Sequence, residues 1–247
     1  MAGLTRIQMK NAAINLLFPR RCPVCGEIVV PERNLICPEC VKKLSPVKEP
    51  TCRRCGKEVY GAPEEYCADC LRHKRSFESG AALLNYNDAA RKSVAAVKYR
   101  NRREYLDFYA AAMDLRFRKL VASWRADVLV PIPIHSSRRR QRGYNQAEEL
   151  AGRLGKRWGI PVDRRLLVRS RRTAPQRELN PAERLANLQA AFAVHLSRSE
   201  ADVPKRVILI DDIYTTGSTM EACTRVLKQA GVEEVHFLVI CIGGGRQ

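Results

Sequence analysis

Negative charge is scarce in this sequence: 26 Asp and Glu stand against 44 Lys and Arg in 247 residues, a formal net charge of +18. A surplus of that size favours polyanions as partners, because bound cationic side chains release counterions. The surplus is also local. Between Arg138 and Arg184 there are 14 basic and five acidic side chains, which is half of the net charge in a fifth of the chain. Missing too is any apolar run of the roughly 18 residues that a membrane-spanning helix needs. A secretory leader is not expected either, since the N-terminus carries no convincing one. Arg6 and Lys10 precede the apolar stretch from Asn11 to Phe18, but Asn11 and Asn15 interrupt it and no small-residue cleavage site follows. The expectation is a cytoplasmic protein whose residues 1–20 form an N-terminal helix docked through Leu4, Ile7, Ile14, Leu17 and Phe18. With 45% hydrophobic and 28% charged residues, the composition excludes a wholly disordered or collagen-like chain.

Cysteine is plentiful by contrast. Eight of the ten form four CxxC pairs, Cys22 with Cys25, Cys37 with Cys40, Cys52 with Cys55 and Cys67 with Cys70, each starting fifteen residues after the last. A CxxC turn aims two thiolates at one ion, and two such turns complete a tetrahedral zinc site. Eight ligands fill two closed sites, so the zinc is structural and not catalytic. Residues 21–75 thus read as a double zinc ribbon that depends on metal for much of its folding energy. Neighbouring pairs would give ribbons in series, the preferred reading, and alternate pairs a cross-brace. Cys223 and Cys241 fall in a helix and at a strand end, where buried thiols behave as small hydrophobes.

Residues 76–247 alternate strand and helix. Ala81 to Tyr86 reads as a strand, and Asn87 caps a helical run to Trp124 that Tyr99 to Arg103 divides in two. Lys98, Arg100, Arg102 and Arg103 could reach phosphate, although a solvated helix surface explains them equally well. Asp127 to Ile134 is a buried strand, Asn145 to Trp158 an amphipathic helix, and Pro161 to Val168 a second strand. A polar, arginine-rich loop follows, with a short strand around Phe192 and Val194. Arg206 to Ile210, Ser218 to Ala230 and Val235 to Ile240 then read as strand, helix and strand. The alternation implies an α/β fold with a parallel sheet covered by helices on both faces.

The chemistry concentrates in Val207 to Met220, VILIDDIYTTGSTM. Four apolar residues suit a central strand. Asp211 and Asp212 are expected just beyond its carboxyl end, where ligands of such sheets sit. Thr215, Thr216, Gly217, Ser218 and Thr219 then form a small hydroxyl-rich turn opening a helix, whose free N–H groups bind phosphate. The loop lacks the lysine of a Walker motif and places its acids before the turn. Anionic acceptors beside a phosphate cradle suit a ribose 5-phosphate.

DDIYTTGST resembles the signature of type I phosphoribosyltransferases. That resemblance implies that Asp211 and Asp212 hold the ribose hydroxyls of phosphoribosyl pyrophosphate (PRPP), that residues 215–219 hold its 5-phosphate, and that Mg2+ accompanies the pyrophosphate. The cysteine pairs, Lys98 and Tyr99, PIPIHSSRRRQRGYNQAEELA from Pro131 to Ala151, and RTAPQRELNPAERLANLQAAF from Arg172 to Phe192 follow in the order seen in ComF-type competence proteins. The same resemblance implies a cytoplasmic role in natural transformation, with single-stranded DNA and other DNA-uptake proteins as partners. It also points to Arg138, Arg139, Arg140 and Arg142 after Pro133 as pyrophosphate or DNA contacts, and to a lid carrying Arg172, Thr173 and Gln176. Arginine suits both places, since its planar fork binds phosphate oxygens in pairs. No partner is evident for His135 as a catalytic group, and it is not expected to be one. Tyr99, Tyr144 and Trp158 are the aromatics that could stack on bases, although each also suits a core. Two functional classes follow. One is a nucleic-acid-binding protein with a PRPP pocket, and the other is an active phosphoribosyltransferase with a base or amine acceptor. The sequence does not name the acceptor or decide whether PRPP is turned over.

Overall fold

The computed structural model describes residues 19–60, 65–169, 189–195 and 203–243. Residues 1–18 of the expected N-terminal helix and the Arg172, Thr173 and Gln176 segment lie outside them, and Pro19 and Arg20 are not helical. The first described residues build two small modules of the same design. In the first, Arg21 bridges Ile28, Cys22 N donates to Glu27 O and Gly26 N to Cys22 O, and helix α1 (Pro38–Val41) follows Cys37. In the second, Thr51 bridges Glu58, Cys52 N donates to Lys57 O and Gly56 N to Cys52 O, and helix α2 (Ala68–Arg72) follows Cys67. The cysteine repeat is therefore a repeat of backbone geometry.

Strand β1 (Ser79–Asn85) enters the main sheet, and Asn87 caps helix α3 (Asp88–Tyr99) by accepting from Ala90 N. Helix α4 (Tyr105–Trp124) follows, so the chain does break at the basic Tyr99 to Arg103 segment. Strand β2 (Val128–Pro131) leads to helix α5 (Ser136–Arg142), then to helix α6 (Gln146–Trp158), which Asn145 caps. Strands β3 (Leu167–Arg169) and β4 (Phe192–Val194) precede β5 (Arg206–Tyr214), helix α7 (Ser218–Gln229) and β6 (Glu234–Ile242). The main sheet has the order β1-β6-β5-β2, and its pairs are all parallel. Its inner strands are apolar on both sides, as burial on two faces requires. One core joins α3, α4 and α6 to Leu129, Ile208, Ile210 and Leu238, and the other joins α7 to Val130, Val207, Leu209 and Phe237. The zinc modules divide between them: Cys22, Val29 and Leu44 pack with the first core, and Cys52, Cys55 and Phe77 with the second.

Two expectations need correction. The second strand expected over Pro161 to Val168 is not a member of the parallel sheet. Val162 makes one parallel bridge to Leu129, and β3 pairs antiparallel with β4 in a separate two-stranded sheet. Asp163 causes the break, because its Oδ1 accepts from Arg165 N and Leu166 N at 2.8 Å each and turns the chain. Asp211 and Asp212 do not lie beyond their strand either. β5 runs on to Tyr214 because Asp211, Ile213 and Tyr214 stay in register with Val239, Cys241 and Ile242.

Candidate functional site

The two modules bring neighbouring cysteine pairs together. Cys22, Cys25, Cys37 and Cys40 form one cluster and Cys52, Cys55, Cys67 and Cys70 the other, and the sulfurs of each lie within 4.8 Å of one another. Sulfur separations of 3.9 Å for Cys25 and Cys37 and 3.5 Å for Cys55 and Cys67 bracket the edge of roughly 3.8 Å that a tetrahedral ion with zinc–sulfur bonds of about 2.3 Å requires. Donor set and spacing both fit structural zinc. Cys25 is exposed in the first cluster, whereas three of the four sulfurs of the second are on buried residues. Lys57 Nζ donates to Asp69 Oδ2 at 2.8 Å and ties the two turns of the second cluster together. Cys223 and Cys241 are fully buried in the domain and belong to neither cluster. Burial pushes the Cys241 thiol up to about 12 and also raises that of Cys223.

A crevice is set by the sheet topology. From β2 the chain turns to α6 on one face, and from β5 it turns to α7 on the other. Strand order reverses between these neighbours, which is where open α/β sheets bind ligands. On the β5 side Asp212 is buried, with its Oδ1 accepting from Gln146 Nε2 at 3.2 Å and its Oδ2 in an ion pair with Lys98 Nζ. Burial pulls the Lys98 ammonium down, but the charges of Asp212 and Asp211 outweigh it and hold the pKa above its ordinary value. Asp211 is half-buried and its charge is felt by Arg169 and Cys223 on the α7 side. Its carboxyl is held well above the usual carboxylate range by burial first and then by the adjacent Asp212 charge.

The turn that follows is exposed at Thr215 and Thr216, and Thr216 Oγ1 lies 2.9 Å from Ser218 Oγ. Gly217 sits at φ +76°, and a Cβ there would lie 2.2 Å from the Tyr214 hydroxyl. Only glycine fits both that conformation and that contact. Four residues, 215, 216, 218 and 219, therefore present hydroxyls around the first turn of α7.

Across the crevice the expected loop after Pro133 is a two-turn helix, α5. His135 occupies its cap, accepting from Ser137 N at 3.2 Å, a structural role. Arg139 is engaged, donating to both carboxylate oxygens of Glu148 at 2.6 and 3.0 Å. Arg142 donates to Gln146 Oε1 and lies over the Tyr99 ring at 5.4 Å. Arg138 and Arg140 are exposed and form no ion pair among the described residues. Lys98, Asp212, Gln146, Arg142 and Tyr99 thus form one connected polar chain. Sequence reasoning left Lys98 between a phosphate contact and a solvated surface and did not pair it with Asp212, although it falls four residues after Val94 on the buried stripe of α3, a placement that signals a paired cation. Gln146 carried no such signal.

Comparison with known families agrees with this arrangement. A model described as "Double zinc ribbon domain" matches residues 13–71 and one described as "Phosphoribosyl transferase domain" matches residues 111–247. Competence protein F of Haemophilus influenzae is 36% identical over 110 residues, 44% of this chain and 48% of that protein. Competence protein ComFC of Streptococcus pneumoniae is 29% identical over 165 residues, 64% of this chain and 65% of that protein. DNA utilization protein YhgH of Salmonella typhi is 26% identical over 178 residues, 70% of this chain and 75% of that protein. The chain therefore spans about half of the first relative's length. No helix among the described residues is long and apolar enough to cross a membrane.

Proposed function

This chain belongs to the phosphoribosyl transferase domain family, in the ComF-type arrangement behind a double zinc ribbon, and on that premise we propose that it binds PRPP and single-stranded DNA during DNA uptake in the cytoplasm. One observation carries the PRPP part: two carboxylates near the end of the β5 ladder stand two residues before a hydroxyl-rich turn that opens α7, at the point where strand order reverses. In this reading Asp211 and Asp212 accept from the ribose hydroxyls, and residues 215–219 hold the 5-phosphate with N–H groups and hydroxyls. Arg138 and Arg140 are free to meet the pyrophosphate, whose charge Mg2+ would partly neutralise. Lys98 shares Asp212 with the incoming hydroxyl.

Calorimetry with PRPP and Mg2+ tests the placement. The wild type is expected to bind, and a variant carrying Asp211→Asn with Asp212→Asn is expected to lose at least tenfold in affinity, the loss of about one charged hydrogen bond. Equal affinity in the two proteins would refute the ribose placement. The second reading is turnover with a base or amine acceptor. It is favoured by the exposed Arg138 and Arg140, without an ion pair among the described residues, which could stabilise a departing pyrophosphate. Pyrophosphate release on adding candidate acceptors separates it from binding alone. Other DNA-uptake proteins are the macromolecular partners this role implies.

A further inference from the structure

The second zinc module does more than stabilise itself, because it is bonded to the phosphate loop. Arg54 lies in the turn between Cys52 and Cys55, and its Nη1 donates to the carbonyls of Arg75 and Phe77 at 3.0 Å each. The segment so held carries Arg75, whose Nη2 donates to Thr216 O at 2.8 Å, across 141 residues of sequence. The next residue grips the helix that the loop opens. Ser76 N and Oγ donate to the two carboxylate oxygens of Glu221 at 2.8 Å each, and Glu221 is 1% exposed and also accepts from Arg225. Phe77 completes the attachment. It is fully buried and meets Phe237 edge-on at 5.0 Å, and Phe237 stacks flat on Tyr214, the ring that Gly217 has to clear.

The bond to Thr216 O has a geometric consequence. A peptide unit is planar and trans, so its C=O and the following N–H point to opposite sides. Holding the Thr216 carbonyl toward Arg75 fixes the plane of the Thr216–Gly217 peptide and turns the Gly217 N–H away from the zinc module, at the N-terminus of α7. Hydroxyl groups of the loop can rotate, but this N–H cannot be aimed by any local side chain. We infer that Arg75, seated by Arg54 of the second zinc turn, is a positioning residue of the phosphate loop, so that ligand affinity depends on the second zinc module and not on the first.

The first module offers a contrast within the same chain. It packs with the other core, against β1, α3 and α4, and none of its described hydrogen bonds reaches residues 211–219. The arrangement also explains why the connector between ribbon and sheet, a plain charged stretch in sequence, contains two consecutive residues with long-range bonds.

The inference rests on the reading of residues 215–219 as a phosphate site, and two measurements keep the two claims apart. The first needs no ligand. Amide hydrogen exchange on the full chain should be faster at Gly217 and its neighbours in Arg75→Met and Arg54→Met than in wild type, with zinc content unchanged at two per chain. The second is PRPP calorimetry on the same proteins. Arg75→Met should weaken binding by about tenfold and Arg54→Met by several fold, values in line with one charge-assisted hydrogen bond and its support. Arg21→Met, which removes the bond from Arg21 Nη1 to Gly26 O in the first zinc turn, should leave both exchange at 215–219 and PRPP affinity near wild type. Unchanged exchange in Arg75→Met would overturn the inference whatever the ligand. Faster exchange with unchanged PRPP affinity would also overturn it while leaving the phosphate reading intact. A wild type that does not bind PRPP would remove that reading and the affinity claim together.

Discussion

Asp211 and Asp212 are neighbours in one strand and yet face opposite energetic situations. Asp212 is neutralised by Lys98 and accepts from Gln146, so its charge is compensated in place. Asp211 forms no ion pair with Lys98, whose ammonium bonds Asp212, and its raised pKa means that ionising it opposes folding. The sign follows from linkage. A carboxyl whose folded pKa lies above its unfolded value costs stability at high pH, and the cost declines as pH falls below the folded pKa and is gone below the unfolded one. Asp211→Asn should therefore raise the thermal midpoint at neutral pH, while Asn Oδ1 still accepts from the following amide as Asp211 Oδ1 does at 2.8 Å. The gain should shrink on acidification, because the wild type then becomes neutral at that position too. Lys98→Met should do the reverse and lower stability on the order of 3 kcal/mol, the cost of leaving one member of a buried ion pair alone. Thermal melts from acid to neutral pH test both, and a midpoint lowered by Asp211→Asn would contradict the account. That two adjacent carboxyl groups are kept here at all, at a cost to stability, agrees with a site built for ligand hydroxyls.

Helix α3 shows how elements bind the modules together. Asn87 Oδ1 caps it through Ala90 N, and the same side chain donates from Nδ2 to Lys43 O of the first zinc module. Asn87→Ala removes both bonds and should cost about 1–2 kcal/mol in chemical denaturation. Asn87→Asp keeps the cap but loses the donor, so it should fall between the two. Caps of this sort were legible in sequence, as were the break at Tyr99 to Arg103, the metal pairs and the β5 to α7 loop, because each is a local pattern of fixed spacing. What was not legible depends on partners distant in the chain. Nothing in Leu167 to Arg169 says that its partner is β4 and runs antiparallel, or that the Asp163 carboxylate ends the preceding run. Lys98 meets Asp212 across 114 residues, and Arg75 meets Thr216 across 141. The extension of β5 to Tyr214 is likewise a property of β6, whose Val239 to Ile242 keep the ladder going.

At the scale of the whole molecule, the charge surplus acquires a location and an aromatic. Of three aromatics able to stack on bases, Tyr144 donates to Val97 O beneath Arg103, and Trp158 donates to Asp114 Oδ1 at 2.8 Å. Both are spent inside the fold. Tyr99 is 77% exposed, with Arg142 over its ring and exposed Arg100 beside it. This surface adjoins the crevice, since Arg142 shares Gln146 with Asp212. A single strand lying here would meet Tyr99 by stacking and Arg100, Arg138, Arg140 and Arg142 by charge. Four phosphate contacts give a slope of about −3 in log affinity against log salt, so affinity for an oligothymidylate should fall roughly fiftyfold between 50 and 200 mM salt. Tyr99→Ala should weaken binding by about 1–3 kcal/mol and leave the slope unchanged, because it removes a stacking face and no cation. Arg138→Ala with Arg140→Ala should instead flatten the slope by about 1.4, since each arginine accounts for roughly 0.7 on single strands. Fluorescence anisotropy across a salt series reads all three. Affinity indifferent to salt would reject this surface as the path of the strand, and a slope flattened by Tyr99→Ala would show that the aromatic acts only by placing its arginine neighbour.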